Sequence, residues 1–347
     1  MVSAAATASN VHLVAVDGTS DDLDVPMEAI FRDRTFKERH RLGSVNSVNI
    51  VRVLCHAVNF FYAVLNVPGS GRFGGGCGVV VPTGAAGHLV GGMIAASMGC
   101  PMFALCAAVN RNDAMHRFLS TGVIRSAETF KTVAPAMVRL SLSSPPGFAV
   151  SVSLFAHVHR DPNAPKPDHP AASVVLQDIQ VPYNIERMLY FATGGDTVAV
   201  ARWMERAKAG EEVRFADERP EAFQRMLDRW NLESVTADDA KVVSTMRATF
   251  DNCGYLADPH TSVGLSALVN PSGRLTSAAQ VVVMGCAHPC KFSGVVAQVF
   301  GVGADAAVGY IPDAGSHPHV SATLGLLLEP RVYPPTTTLG KEQDWEA

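Results

Sequence analysis

The sequence lacks the features that would send a chain to a membrane, to secretion or to nucleic acid. No apolar stretch in its 347 residues reaches the roughly 20 that an α-helical membrane span needs. No Lys or Arg precedes Arg32, so the opening MVSAAATASNVHLVAV reads as neither a secretory signal nor a transit peptide. The formal net charge is only −4, which argues against nucleic acid or a membrane surface as the main partner. A disulfide framework is missing too. Cys55, Cys77, Cys100, Cys106, Cys253, Cys286 and Cys290 are odd in number, scattered and mostly within apolar runs. They read as reduced thiols in a reducing compartment, the cytoplasm. The CAHPC stretch at 286–290 has no second cysteine pair near it, so no metal site is expected.

The chain does have the apolar content to build a large core, with 48% hydrophobic residues and room for one large or two medium domains. Strand-like and helix-like stretches alternate. VHLVAVDG (11–18), GCGVVVP (76–82) and PMFALCAAVN (101–110) read as strands, and QVVVMGCAHP (280–289) as a strand followed by a loop. Residues 47–66 read as a long apolar helix expected to be buried. Further helices are expected at 87–99, 112–122, 184–193, 196–208, 219–231, 238–251 and 290–301. This alternation predicts an α/β fold with a largely parallel sheet. Two stretches break it. PGSGRFGGGCG (68–78) is Gly-rich but precedes a strand instead of joining a strand to a helix, so it reads as a linker loop. Residues 138–177 are Ser/Pro-rich without periodicity, and are expected to be a disordered insert, consistent with a retained intron.

VVVPTGAAGH (79–88) runs from strand through a short turn into a helix. Its glycines suit close backbone approach or positive φ, Thr83 brings a hydroxyl, and the amides of residues 84–88 open the helix. The turn is neither GxGxxG nor a Walker loop, and alone it leaves two readings open: an anion site, or a bare strand–helix turn.

Further stretches decide between them. GTSDDLDVP (18–26), GSVNSVNIVRVL (43–54), VPTGAAGH (81–88), VNRNDAMHRFLSTG (109–122), VPYNIERMLY (181–190), DPHTSVG (258–264), CAHPCKF (286–292) and the closing DWEA occur in that order. Together they resemble the C-terminal part of the threonine synthase and threonine synthase-like family, over nearly everything except 68–78 and 138–177. The resemblance implies a fold-type-II pyridoxal-phosphate enzyme, incomplete here, spread over 1–137 and 178–347. It implies O-phosphohomoserine as the small-molecule substrate, which loses its phosphate and takes up water to give threonine. Phospho-lyase activity giving 2-oxobutyrate, or a non-catalytic phosphate-binding fragment, are the alternatives.

Residue by residue, the resemblance assigns Thr83, Gly84, Ala85, Ala86 and Gly87 to the loop for the cofactor phosphate. Ala85 and His88 stand where the commoner version of that loop, GNFGD, has an amide and an acid. Cys286 stands where the family pattern ATAHPAKF has a threonine under the cofactor ring. Asn46, Ser47 and Asn49 match the NSIN element, and Arg52 follows as a candidate for the substrate phosphate. Helix capping and an ion pair between helices are the plainer roles for that group. His260, His288 and Lys291 are candidate pocket residues, and solvated or structural roles stay open for each. Asn112 reads as a helix N-cap and Arg117 as a charge near a helix end.

The family also needs a Schiff-base lysine, in an SFKD-like motif upstream of the segment matching VHLVAVDGTSDD. TFKE at 35–38 looks similar but falls between GTSDD and GSVNSVN, within a charged helical surface. The sequence is therefore expected to lack the catalytic lysine and to be inactive as it stands. That leaves an organelle open beside the cytoplasm, and the oligomeric state undetermined.

Overall fold

The computed structural model describes residues 14–17, 29–44, 47–68, 76–127, 132–134, 137–141, 150–151, 173–177, 182–269, 271, 273–312 and 337–339. The chain divides into two compact units, one of residues 44–136 and 178–289, the other of 1–43, 137–177 and 290–347.

The first of these units is built on a four-stranded sheet. Its strands are β1 (Cys77–Pro82), β2 (Met102–Val109), β3 (Leu232–Thr236) and β4 (Gln280–Val283), in the order β4-β1-β2-β3. All three pairings are parallel, with Val80 opposite Val283 and Cys106, and Cys106 opposite Glu233. The central strand β1 is buried along its whole length, which is why CGVVVP reads as an unbroken apolar run. β3 is an edge strand with Glu233, Ser234 and Thr236 in it, polar residues that hide it among the apolar runs of the sequence. An edge strand has one neighbour, so it needs no continuous apolar run.

The longer helices of this unit, in chain order, are α1 (Ile50–Leu65), α2 (Gly87–Ser97), α3 (Ala114–Thr121), α4 (Ile185–Thr193), α5 (Thr197–Lys208), α6 (Pro220–Arg229), α7 (Asp239–Cys253) and α8 (Pro259–Leu265). α2 links β1 to β2 and is buried on most sides. α1 packs against it at close range. A Cβ on Gly91 would lie 2.6 Å from the His56 Cβ, and one on Gly92 would lie 2.8 Å from the Phe60 ring. Glycines there let the two helices approach until side chains of α1 rest on the backbone of α2.

The expectation of a buried α1 needs correction. Val53, Ala57, Phe60 and Val64 form one buried stripe, while Val51, Leu54, Tyr62 and Leu65 are exposed and Val58 is 66% exposed. Apolar composition all round the helix hid this one-sided packing. At the far side of the unit, Trp203 meets Phe215 edge-on at 5.1 Å and donates from Nε1 to Glu218 at 2.7 Å.

In the other unit, the strand Val14–Asp17 pairs parallel with Thr337–Leu339 and antiparallel with Val150–Ser151. Met137–Ser141 pairs antiparallel with Ser173–Gln177, so the 138–177 stretch has strands at both ends. Helix Ser293–Phe300 follows a 3₁₀ turn, Pro289–Phe292. Among the described residues, no single helix is long and apolar enough to cross a membrane.

Candidate functional site

The turn after β1 lies at the carboxyl end of a central parallel strand, where open α/β sheets place their ligand crevices. The Thr83 amide donates to Ala108 O at 2.7 Å, which extends the sheet by one bond, and the Thr83 hydroxyl donates back to Val81 O at 2.7 Å. The chain then leaves the sheet. Ala86 takes a left-handed conformation at φ 64° and ψ 0°, and α2 begins at Gly87 with no side chain capping it. Among the described residues, the N–H groups of Gly84, Ala85, Ala86, Gly87, His88 and Leu89 donate to no protein acceptor. The first satisfied amide is that of Val90, which donates to Ala86 O at 3.0 Å. Six consecutive donors at the positive end of an 11-residue helix form a cradle for an anion.

His88 does not occupy that cradle. Its ring packs into α1, 4.7 Å from the His56 ring and 5.2 Å from Phe60. Burial, helped by the neighbouring His56, pushes the His88 imidazole down to about 3. His56 is lowered too, by burial and then by the Arg52 charge. Both rings are therefore neutral at physiological pH.

The turn is held by Ser47 together with Tyr183, Asn184 and Arg187, three residues to which the sequence pattern assigned no role. Asn184, fully buried just before α4, donates from Nδ2 to Ala85 O at 2.7 Å and to Ser47 Oγ at 3.1 Å. Arg187 donates to Asn184 Oδ1 and, at 2.9 Å, to Val48 O. Ser47 Oγ shares a hydrogen bond with the Tyr183 hydroxyl at 2.8 Å. A Cβ on Gly87 would lie 2.9 Å from Ser47 Cβ and 3.2 Å from Asn184 Nδ2, so only glycine fits there. The signal for this cluster was the polar pair ahead of an apolar helix in VPYNIERMLY.

A second corner lies at the end of β4. Asp258 is 1% exposed and caps α8, accepting from the backbone of His260 at 2.9 Å. It also accepts from the Thr261 hydroxyl and from the Ala287 amide at 3.3 Å. The Cys286 amide donates to Thr261 Oγ1 at 3.1 Å. Burial works against the Asp258 charge, but the His260 and Thr261 hydrogen bonds outweigh it and hold the carboxyl below its ordinary range. Cys286 is an exposed residue, yet protein crowded around its sulfur, with the Asp258 charge nearby, raises its thiol above the ordinary range, so it is neutral at physiological pH. All seven cysteines are free, four of them buried, and no group of three or more metal-ligating side chains gathers among the described residues.

The remaining candidates fall as follows. Asn46 lies outside the described residues. Asn49 caps α1, accepting from Val51 N at 3.0 Å and donating to Ser44 O at 2.8 Å, which is its plainer role. Arg52 sits exposed in the first turn of α1. The His260 Nδ1 is 3.2 Å from Asp258 Oδ1, and His288 follows the Cys286 turn. Lys291 belongs to the other unit, in the Pro289–Phe292 turn. Asn112 is not the N-cap expected of it. That place falls to Asp113, while the buried Asn112 donates its amide to Asn110 Oδ1 at 2.9 Å. Arg117 pairs with Asp113 at 2.8 Å.

Comparison with known proteins agrees with this architecture. No protein-family model matches the chain. Threonine synthase of Pseudomonas aeruginosa is 28% identical over 287 residues, 83% of this chain and 50% of that protein. Human threonine synthase-like 2 is 32% identical over 260 residues, 74% of this chain and 44% of that protein. The chain thus spans about half the length of the curated relatives it matches. Yeast threonine synthase superposes with a TM-score of 0.65 at 21% identity, over 99% of this chain and 60% of that one. The pyridoxal-phosphate-bound enzyme of Brucella melitensis does so with 0.64 at 24%, over 97% and 58%. The chain belongs to the threonine synthase and threonine synthase-like family and has the α/β fold of its fold-type-II enzymes.

Proposed function

We propose that the chain carries the cofactor-phosphate site of a pyridoxal-phosphate-dependent lyase acting on O-phosphohomoserine. The observation that carries this reading is the run of six unengaged amides from Gly84 to Leu89 at the carboxyl end of β1. A phosphate monoester dianion needs several donors and no acidic neighbour. The cradle supplies six donors, and His88, which stands where the commoner family loop has an acid, packs into α1 instead of facing them. The cofactor, when bound, supplies an electron sink for carbanion chemistry.

This chain's own residues divide the remaining work. The amides of Gly84, Ala85, Ala86, Gly87, His88 and Leu89 hold the phosphate, and Thr83 fixes the strand end from which they project. Cys286, at the end of the neighbouring strand, offers a neutral thiol to the ring where the family pattern has a hydroxyl. Arg52, His260 and His288 are the proposed contacts for the substrate and its phosphate. Asn49 is withdrawn from that set because its amide is committed to capping α1. Threonine is the proposed product, and 2-oxobutyrate the alternative.

The reading also holds that the Schiff-base lysine is not among these residues. Lys37, in TFKE, lies on the exposed helix Arg34–His40 with its Nζ 5.8 Å from the centre of the Phe31 ring. The test is to add pyridoxal 5′-phosphate to the full chain, reduce with borohydride and map any adduct by mass spectrometry. The expected result is saturable binding of the cofactor, no lysine adduct at stoichiometric cofactor, and no phosphate released from O-phosphohomoserine. Absence of saturable binding would overturn the cofactor assignment. A single reduced lysine accompanied by phosphate release would overturn the missing lysine and let product analysis choose between threonine and 2-oxobutyrate.

A further inference from the structure

Resting on the cofactor-phosphate reading, we infer that the Ser47 hydroxyl is itself a ligand of the phosphate at the 84–89 amides, and that Asn184 is the residue positioning it. The resemblance had set Ser47 among the substrate contacts.

Arg187 has only donors to offer, so the Asn184 atom that it contacts is the carbonyl oxygen. That fixes the amide the other way round at its far end. Its NH₂ group faces Ala85 O at 2.7 Å and Ser47 Oγ at 3.1 Å, and supplies one proton to each. Ser47 Oγ therefore accepts from Asn184. It also accepts from Tyr183 when the phenol, 2.8 Å away, donates. Either hydroxyl can donate in that pair; with a phosphate acceptor present the phenol donates, both Ser47 lone pairs are engaged, and the single Ser47 proton turns to the ligand.

Position supplies the second half. Ser47 packs on Gly87 so closely that a Cβ there would lie 3.2 Å from Ser47 Oγ. Gly87 is the first residue of α2 and carries one of the unengaged amides. The hydroxyl thus lies beside the first residue of α2, and on this inference it is the seventh donor to the phosphate. The same Asn184 amide that orients Ser47 also holds Ala85 O, so one side chain sets both the backbone and the side-chain part of the site. A site composed only of donors matches the fully ionised phosphate group.

The experiment uses the full chain with three probes: pyridoxal 5′-phosphate, pyridoxal and inorganic phosphate. Dissociation constants are measured by equilibrium dialysis, and circular dichroism verifies the fold of each variant. Ser47→Ala is expected to weaken pyridoxal 5′-phosphate and inorganic phosphate by about tenfold or more, the worth of one hydrogen bond to a charged group, while leaving pyridoxal unchanged. Asn184→Ala is expected to weaken the same two probes. Its loss and that of Ser47→Ala should not add in the double variant, because Asn184 acts partly through Ser47. If Asn184→Ala does not fold, Arg187→Gln tests the same point by releasing the amide without removing it, with a several-fold loss expected.

Wild-type affinity for the phosphate probes in Ser47→Ala would overturn the inference and leave the cofactor reading standing. Equal weakening of pyridoxal would also overturn it, since that is a general structural effect. A wild-type chain that binds pyridoxal 5′-phosphate no better than pyridoxal would overturn the cofactor reading, and the inference with it.

Discussion

Two corners of one sheet edge show opposite treatments of the same backbone groups. At the end of β1, Gly84 to Leu89 present six amides that no described residue accepts. At the end of β4, the amides of Cys286 and Ala287 are both taken, by Thr261 and Asp258, and the Asp258 carboxylate serves the start of α8 as well. One corner keeps its donors for a ligand, and the other spends them on itself. Buried polar groups left without partners cost stability, so the open corner makes sense as a binding site and the closed one as its scaffold.

Breaking the closed corner has the largest expected effect. Asp258→Ala strands the Thr261 hydroxyl and the amides of His260 and Ala287 in a buried position. The expected loss is about 3 kcal/mol or more, measured as a shift of the denaturant midpoint. It also removes a charge that raises the Cys286 thiol, so thiol titration should show Cys286 ionising at lower pH in the variant. A stability change within error would mean that this corner is not the self-satisfied scaffold described.

Gly87→Ala strikes the open corner. Its new methyl would meet Ser47 Cβ at 2.9 Å, and neither Ser47 nor Asn184 can retreat without loosening the turn. The expected stability loss is smaller, about 1–3 kcal/mol, and comes with loss of affinity for pyridoxal 5′-phosphate. Affinity retained at the wild-type level would show that the amides hold their places without the close Ser47 contact.

Acid probes the open corner through His88. The imidazole ordinarily titrates near 6.5 and in the fold only at about 3, so between those values the unfolded chain binds the extra proton and the folded one does not. Stability therefore falls as pH drops below about 6.5, by up to about 1.4 kcal/mol per pH unit for this group. Denaturant midpoints between pH 7 and pH 5 should slope less steeply in His88→Gln than in wild type. Identical slopes would remove His88 from the acid response.

These contrasts also show what the sequence could reveal. β1 and β2 were legible because strands flanked on both sides read as apolar runs, and the edge strand β4 because its QVVV is apolar all the same, whereas LESVT at the opposite edge was not. The turn was legible as a candidate because glycine, strand and helix follow one another locally. The clamp was not, because Asn184 stands 137 residues from Ser47 and nothing near either residue announces the other. Asn49 and Asn112 show the opposite error. An asparagine near a helix start serves as a cap, a substrate contact or a turn, and only the hydrogen-bond partners separate these uses.

The smallest expected effect tests whether the open corner works through backbone alone. Ala86 is left-handed at φ 64°, a conformation that costs a non-glycine residue on the order of 1–2 kcal/mol and that glycine adopts freely. Ala86→Gly relieves that strain. Against this gain stand the greater entropy of glycine in the unfolded chain, about 0.4–1 kcal/mol, and the loss of a methyl group that is only 2% exposed, about 0.8 kcal/mol. The terms nearly cancel, so the variant should unfold within about 1 kcal/mol of wild type. Its affinity for pyridoxal 5′-phosphate should be unchanged, because the proposed donors are N–H groups that both residues possess. A large loss of affinity at unchanged stability would mean that the Ala86 methyl, and not only the backbone, shapes the cradle. The contrast with the β4 corner would then be one of side chains on both sides.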